Sequence, residues 1–310
     1  VLTNACNTYI KWAEIWERMY DIPVVTIDIP GTRAKGAQSQ RDSEDFKYEK
    51  KYIVAQLEEL IEKCEKLTGK KFDIDKFREV LGYANDMSVG WQKILELNQK
   101  HPAVFNALTD GTIYLGVANG FRGAAEGSTY FTELVEEMRY KAENGIGTMS
   151  DEKFRLAFVG VPCYPIFRRF NEFFTDWSGV FVHSTYLWFA SGGTNIGFEY
   201  DVSNPLESLA EGVLISVRDA MDSMFHQEQI ILSMAEPYDL EGVVYHPIKS
   251  CRTVSTGLAD GRRFVMQNRD LATLFLESDM MDKRVVSEAQ MKNRVDAFFE
   301  GLISRQQQVQ

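Results

Sequence analysis

Cysteine is scarce in this chain, with four among 310 residues, at positions 6, 64, 163 and 251. That count and spacing exclude the dense disulfide framework of a small secreted domain. Nor does any pair stand two to four residues apart, as the ligands of a structural zinc site do. No secretory signal is present, so a reducing, cytoplasmic setting is expected. The sequence also lacks an apolar run long enough to span a membrane. A basic excess is lacking too: the net charge is −11, which argues against a nucleic-acid partner, because such surfaces need cations to displace counterions. That leaves room for an anionic ligand held by a local basic cluster. There is no Walker sequence and no G-x-G-x-x-G after a strand, so nucleotide binding carries little weight. The chain begins with Val1 instead of methionine, at what reads as the tail of a strand, and is expected to lack its true N-terminal region.

What is present suits a globular protein: 45% hydrophobic and 25% charged, with length enough for two compact domains. Over 11–20 the helical period gathers Trp12, Ile15, Trp16, Met19 and Tyr20 opposite Lys11, Glu14, Glu17 and Arg18. That aromatic stripe predicts a core-facing helix rather than a cofactor stack. A buried strand is expected over 24–29 and an exposed polar loop over 32–45. Two long amphipathic helices follow over 46–67 and 74–99, with Gly69 ending the first and Asp73 capping the second. The segment 111–122 is apolar and punctuated by glycine, and a helix is expected over 127–143. Beyond Gly145 and Gly147 the pattern alternates. Strands are expected over 155–161, 179–184, 242–246 and 272–277, and helices over 166–175, 205–236, 257–269 and 287–302. Crossovers of that length imply a doubly wound, mostly parallel sheet. The expected organisation is an incomplete first α/β lobe with a helical segment over 1–147 and a second α/β lobe over 148–310.

Three of the four cysteines share one local context. Val243 and Val244 lead through His246 to the turn Lys249-Ser250-Cys251-Arg252. The run 156–161 leads to Pro162-Cys163-Tyr164-Pro165. Val1 to Asn4 leads to Cys6 and Asn7. In a parallel sheet the carboxyl ends of strands are where ligands are held. Free cysteine is commonly a small buried hydrophobe, yet these three stand in the polar turns past the apolar runs. Zinc accepts thiolates as well, but thiolates so far apart in sequence, with no close fourth, suggest an iron–sulfur cluster on Cys6, Cys163 and Cys251 with one iron left open. Cys64 lies among Glu62, Lys63, Glu65 and Lys66 and reads as an incidental helix residue.

Lys249, Ser250 and Arg252 surround Cys251, either as solvated loop charges or as cations that lower the thiol's pKa and offset a cluster's charge. His183 and His246 stand near strand ends, where a histidine is a satisfied structural residue or a proton shuttle. Ser184, Thr185 and Tyr186 could offer hydroxyls to a substrate. Arg122 and the glycines of 116–123 could approach a phosphate.

With these residues placed, a resemblance can be stated. Thr3-Asn4-Ala5-Cys6-Asn7 with Lys11 and Trp12, Val161-Pro162-Cys163-Tyr164-Pro165, and His246 to Arg252 resemble the three cysteine motifs of the 2-hydroxyacyl-CoA dehydratase and benzoyl-CoA reductase family. Thr68 to Asp73 and Lys292-Asn293-Arg294-Val295 are also similar. The likeness runs in order over nearly the whole chain, without the N-terminal region that family members carry. It implies two Rossmann-like or flavodoxin-like lobes with mostly parallel sheets and additional long helices. A [4Fe-4S] cluster on Cys6, Cys163 and Cys251 would lie between them. It implies a heterodimer with a second homologous cluster-bearing subunit, an ATP-dependent iron–sulfur activator protein and an acyl-CoA substrate. The implied activity is that of an (R)-2-hydroxyacyl-CoA dehydratase, which eliminates water through a one-electron ketyl radical with the substrate oxygen at the open iron. Lys249 and Arg252 would tune the site and Ser184 would contact substrate. Two alternatives stand beside it: a subunit of ATP-dependent benzoyl-CoA reductase, which dearomatises a ring, and a non-catalytic electron-transfer subunit. The intact Cys163 turn favours the dehydratase.

Overall fold

The structure, a computed structural model, describes residues 1–4, 7–31, 41–192, 197–219 and 227–309. Strands β1 (Leu2–Thr3) and β2 (Thr26–Ile27) pair in parallel and are joined through helix α1 (Asn7–Tyr20). The expected strand over 24–29 is paired only at its centre, although Ile27 and Ile29 are both buried. The stripe on α1 corrects the core reading: Trp12 is 42% exposed and Trp16 50%, with Tyr9, Ile15, Met19 and Tyr20 exposed around them and Ala13 buried. A helical period only aligns side chains. Burial needs a second surface, and none among the described residues covers this one.

Helix α2 (Glu44–Thr68) starts where Ser43 Oγ accepts from the Phe46 amide at 3.2 Å and ends at Gly69, whose φ of +68° suits glycine. The loop expected over 32–45 falls largely outside the described residues. Asp73 caps α3 (Ile74–Leu97), accepting from the amides of Asp75 and Lys76 at 3.0 Å each. The glycine-punctuated segment is helix α4 (Thr109–Phe121), started by Asn106 Oδ1 accepting from the Leu108 amide at 2.9 Å, and α5 (Ala125–Glu143) follows.

The remaining chain alternates: β3 (Phe154–Gly160), α6 (Phe167–Thr175), β4 (Gly179–Ser184), α7 (Thr185–Ala190), α8 (Pro205–Val213), α9 (Gln227–Ala235), β5 (Gly242–His246), α10 (Arg252–Ser255), α11 (Leu258–Asn268), β6 (Ala272–Phe275) and α12 (Glu288–Val309). Its four strands form a parallel sheet in the order β4-β3-β5-β6. β3, β4 and β5 are buried throughout, as strands covered on both faces must be. Leu156, Phe158 and Phe181 face one core with Phe170, Phe174 and Phe299 and with residues of α3 and α5. Ala157, Val159, Val182, Val243 and Tyr245 face the other, under α9 and α11.

The helix expected over 205–236 is described only in part. α8 passes into a wider π turn at Leu214–Asp219, and residues 220–226 lie outside the described set before α9 begins. Ser216 Oγ bonds back to the Gly212 carbonyl at 2.6 Å, a competition that distorts helices. At the amino end of β3 the buried Arg155 pairs with Glu152 and donates to the carbonyls of Tyr238 (2.7 Å) and Asn98 (3.1 Å), so one guanidinium ties three segments together. Among the described residues no helix is long and apolar enough to cross a membrane.

Candidate functional site

The cysteine turns gather at the carboxyl edge of the sheet. β3 closes on Gly160, paired with His246, the last residue of β5. Gly160 has φ +118°, and a Cβ there would stand 2.5 Å from the His246 carbonyl oxygen. Glycine is what lets the two strand ends approach so closely. Past Gly160 the chain turns through Val161 and Pro162, and Cys163, 0% exposed, precedes the single 3₁₀ turn Tyr164–Ile166 that leads into α6. Past β5, the Cys251 amide donates to Ile248 O at 3.3 Å, and Cys251, 4% exposed, stands at the start of α10. Cys251 packs with Val161 and Ile248, flanked by Tyr186, Val254 and Met280. Thus Cys163 and Cys251 occupy turns that follow adjacent parallel strands.

Cys6 lies outside the described residues. Asn4 and Asn7 on either side are described. Asn4 holds the end of β1 to the segment after β2, accepting from the Ile29 amide at 2.9 Å and donating to Asp28 at 2.6 Å. On the other side, Asn7 Nδ2 and Thr8 Oγ1 each donate to the Ser250 carbonyl at 3.3 Å. The residue after Cys6 therefore touches the residue before Cys251, across most of the sequence. Cys64 is exposed on α2 and takes no part. Among the described residues, which exclude Cys6, no three His, Cys, Asp or Glu side chains form a metal-holding group.

A second set of polar residues supports this edge. Ser278 Oγ lies 3.6 Å from Cys163 Sγ and 2.6 Å from His246 Nε2, while His246 Nδ1 lies 2.6 Å from the Val161 carbonyl. Burial pushes the Cys163 thiol's pKa up; the bonds from Ser278 and the Ile166 amide oppose that, and the Asp279 charge adds to it. Burial likewise holds His246 below the ordinary histidine value, against the Val161 bond and the Asp279 charge. For Asp279 burial acts upward, but the amide of Met281 (3.0 Å) and those of Ser250 (2.8 Å) and Asp282 (3.0 Å) outweigh it and keep the carboxyl below its usual range. Asp279 thereby clamps the Cys251 turn to the segment after β6. Sequence reasoning missed Ser278 and Asp279. The strand-end rule that singled out the cysteines also applies to β6, and could have found both.

The other candidates are dispersed. Lys249 Nζ stands 3.2 Å from Glu277, with both side chains about half exposed, and Arg252 is exposed in the first turn of α10. Ser184 is buried at the end of β4, its Oγ accepting from the Leu187 amide at 3.1 Å as the cap of α7. His183 is buried beside it, its Nδ1 accepting from the Ser184 amide at 2.7 Å. Tyr186 shares a hydrogen bond with the part-exposed Tyr164, next to Cys163; burial is the main influence raising the pKa of the Tyr164 phenol. Arg122 donates to Ala190 O at 2.9 Å and Ser88 Oγ at 3.3 Å, so its guanidinium holds α7 instead of standing open to a phosphate.

A family model described as 2-hydroxyglutaryl-CoA dehydratase, D-component, matches residues 1–302. One subunit of the benzoyl-CoA reductase of Thauera aromatica is 30% identical over 305 residues, covering 96% of this chain and 68% of that protein. The (R)-phenyllactyl-CoA dehydratase alpha subunit of Clostridium sporogenes is 27% identical, covering 98% and 70%. The (R)-2-hydroxyglutaryl-CoA dehydratase alpha subunit of Acidaminococcus fermentans is 26% identical, covering 96% of this chain and 59% of that protein. Each relative is thus a subunit longer than this chain, and each match takes in nearly all of it. By the match over residues 1–302 the chain belongs to the 2-hydroxyglutaryl-CoA dehydratase D-component family, whose relatives include dehydratase and benzoyl-CoA reductase subunits.

Proposed function

We propose that this chain is the iron–sulfur subunit of an (R)-2-hydroxyacyl-CoA dehydratase, with Cys6, Cys163 and Cys251 as the ligands of a [4Fe-4S] cluster. One observation carries the reading: two buried thiols stand in turns past adjacent parallel strands, and the first turn of α1, next to Cys6, is bonded to the Cys251 turn. The donor chemistry fits such a group, since soft thiolates shielded from water are what a cluster takes. Held by Cys6, Cys163 and Cys251, such a cluster would supply low-potential electron transfer and Lewis acidity.

The chain's own residues do the rest. Gly160 sets how closely the two turns approach. Val161, Ile248 and Val254 keep water from the Cys251 sulfur, which strengthens every charge interaction nearby. Burial raises the pKa of the Cys163 thiol, so a metal taking that sulfur as thiolate would release its proton. Lys249 and Arg252 stand on the Cys251 turn to offset negative charge, with Glu277 moderating the first. Tyr164, hydrogen-bonded to Tyr186, is placed to orient a substrate oxygen at the mouth. Ser184, whose oxygen is engaged by α7, retains a hydroxyl proton for the same purpose.

The partners in this reading are a second homologous cluster-bearing subunit, an ATP-dependent iron–sulfur activator and an acyl-CoA. Benzoyl-CoA reductase is a second reading, favoured by the 30% identity with the Thauera aromatica protein. The anaerobically loaded chain, assembled with its partner subunit, activator and ATP, is expected to dehydrate 2-hydroxyacyl-CoA and leave benzoyl-CoA intact. Ring reduction without dehydration assigns the second reading. A full cluster whose spectrum is unchanged by either thioester assigns electron transfer alone.

A further inference from the structure

The hydrogen bonds around His246 can be given directions. A carbonyl oxygen only accepts, so the Val161 oxygen 2.6 Å from His246 Nδ1 requires a proton on Nδ1. In the neutral ring Nε2 then carries a bare lone pair, and the Ser278 hydroxyl at 2.6 Å must donate to it. That leaves the Ser278 oxygen as an acceptor toward Cys163, 3.6 Å away, and a protonated thiol can fill that role. In the metal-free chain the order is Cys163 S–H to Ser278 O–H to His246 Nε2, with Nδ1–H to Val161. Cys163, Ser278 and His246, all buried, each donate one proton in it.

Taking the proton off Cys163 breaks this order. A thiolate has nothing to donate, so two acceptors, the sulfur and His246 Nε2, face one hydroxyl proton. Hydrogen bonds to an ionised acceptor are about twice as strong as neutral ones, so the hydroxyl turns to the sulfur. We propose that Ser278 is a positioning residue for Cys163: its hydroxyl, held by His246 while the thiol keeps its proton, rotates to donate to the Cys163 thiolate when that sulfur becomes a metal ligand. His246 keeps the serine at the right place and Val161 O fixes the ring. This inference rests on the cluster reading and adds to it a residue outside the three cysteine motifs. A donor to a ligand sulfur withdraws negative charge, which favours the reduced cluster, and it fixes the sulfur's orientation, which supports metal affinity.

The test uses the full chain reconstituted anaerobically with iron and sulfide, as wild type, Ser278→Ala and Ser278→Thr. It measures iron per chain, the midpoint of an EPR-monitored redox titration, and the chelator concentration that strips half of the iron. Ser278→Ala is expected to shift the midpoint to more negative potential and to lose iron at roughly 10- to 100-fold lower chelator concentration. Ser278→Thr, which keeps the hydroxyl, is expected to stay with wild type. Complete loss of iron in Ser278→Ala with retention in Ser278→Thr supports the proposal equally. An unchanged midpoint and chelator resistance in an iron-replete Ser278→Ala overturns it, as does Ser278→Thr behaving like Ser278→Ala. A wild-type chain that takes up no iron overturns the cluster reading itself, and this inference with it.

Discussion

His183 stands next to last in β4 with its ring buried, in edge contact with Tyr238 at 4.6 Å between centroids. Burial drops its pKa from 6.5 to about 4, and the Ser184 carbonyl, 3.0 Å from Nδ1, opposes that only in part. In the unfolded chain the same ring titrates near 6.5. Between those values the unfolded chain binds a proton that the folded chain refuses, so acid favours unfolding. His183 therefore contributes nothing pH-dependent above about pH 6.5, and below it removes about 1.4 kcal/mol of stability per pH unit down to about pH 4. Denaturant unfolding from pH 7.5 to 4.5 is expected to show that slope, and His183→Gln to lose it; an equal slope in the variant contradicts the assignment. At this scale the sequence singles out candidate thiols but not what touches them. Cys163 and Cys251 stand where the strand-end rule puts them; Ser278 and Asp279 follow β6 by the same rule, and it is the strand order, with β6 beside β5, that brings them to the cysteines.

Among the elements, β4 and β5 are legible to the residue, because β-branched and aromatic runs bounded by turn residues have no competing reading. α7 is not, since Thr185–Ala190 is short and apolar and continues the strand pattern without a break. α4 is hidden by its glycines, which lower helix propensity while tertiary packing overrides it. The α1 stripe is legible as a helix face and illegible as core, because periodicity says nothing about a second surface. Trp16→Gln is accordingly expected to change the chain's own stability by no more than about 0.5 kcal/mol in denaturant unfolding; a loss of several times that would mean the indole is packed.

The junction of β3 and β5 is the opposite case. Gly160→Ala must both adopt a positive φ and clear the His246 carbonyl, so a loss on the order of 1–3 kcal/mol is expected, together with weakened iron binding. Unfolding curves and iron content of the purified variant check both, and an unperturbed variant would show that the strand ends can part without consequence. At the amino end of the same strand, Arg155→Leu strands Glu152 in a site where its side chain is 7% exposed. A cost of about 3–5 kcal/mol in unfolding free energy is expected, and a near-neutral result would place water around that carboxylate.

For the whole molecule, one core joins α3 and α5 to the parallel sheet and α12, which fixes the sheet's carboxyl edge as a rigid rim for the cysteine turns. The α/β class and the family were both legible in the sequence, because three separated cysteine turns in the right order are a specific pattern. The convergence of those turns was legible only as an inference; what is described is that the Cys163 and Cys251 turns follow the adjacent strands β3 and β5, and that Asn7 and Thr8 bond to Ser250. The relatives of known activity are longer than this chain, which spans 59% to 70% of the Thauera, Clostridium and Acidaminococcus proteins. The proposed activity is therefore tested on the chain with its proposed partners, while metal binding can be asked of the chain itself. Iron and acid-labile sulfide per chain, measured after anaerobic reconstitution of wild type and of the single Cys→Ala variants, is the decisive quantity. The account predicts wild-type iron in Cys64→Ala and loss of iron in Cys6→Ala, Cys163→Ala and Cys251→Ala; full iron in any of those three, or none in the wild type, would contradict it.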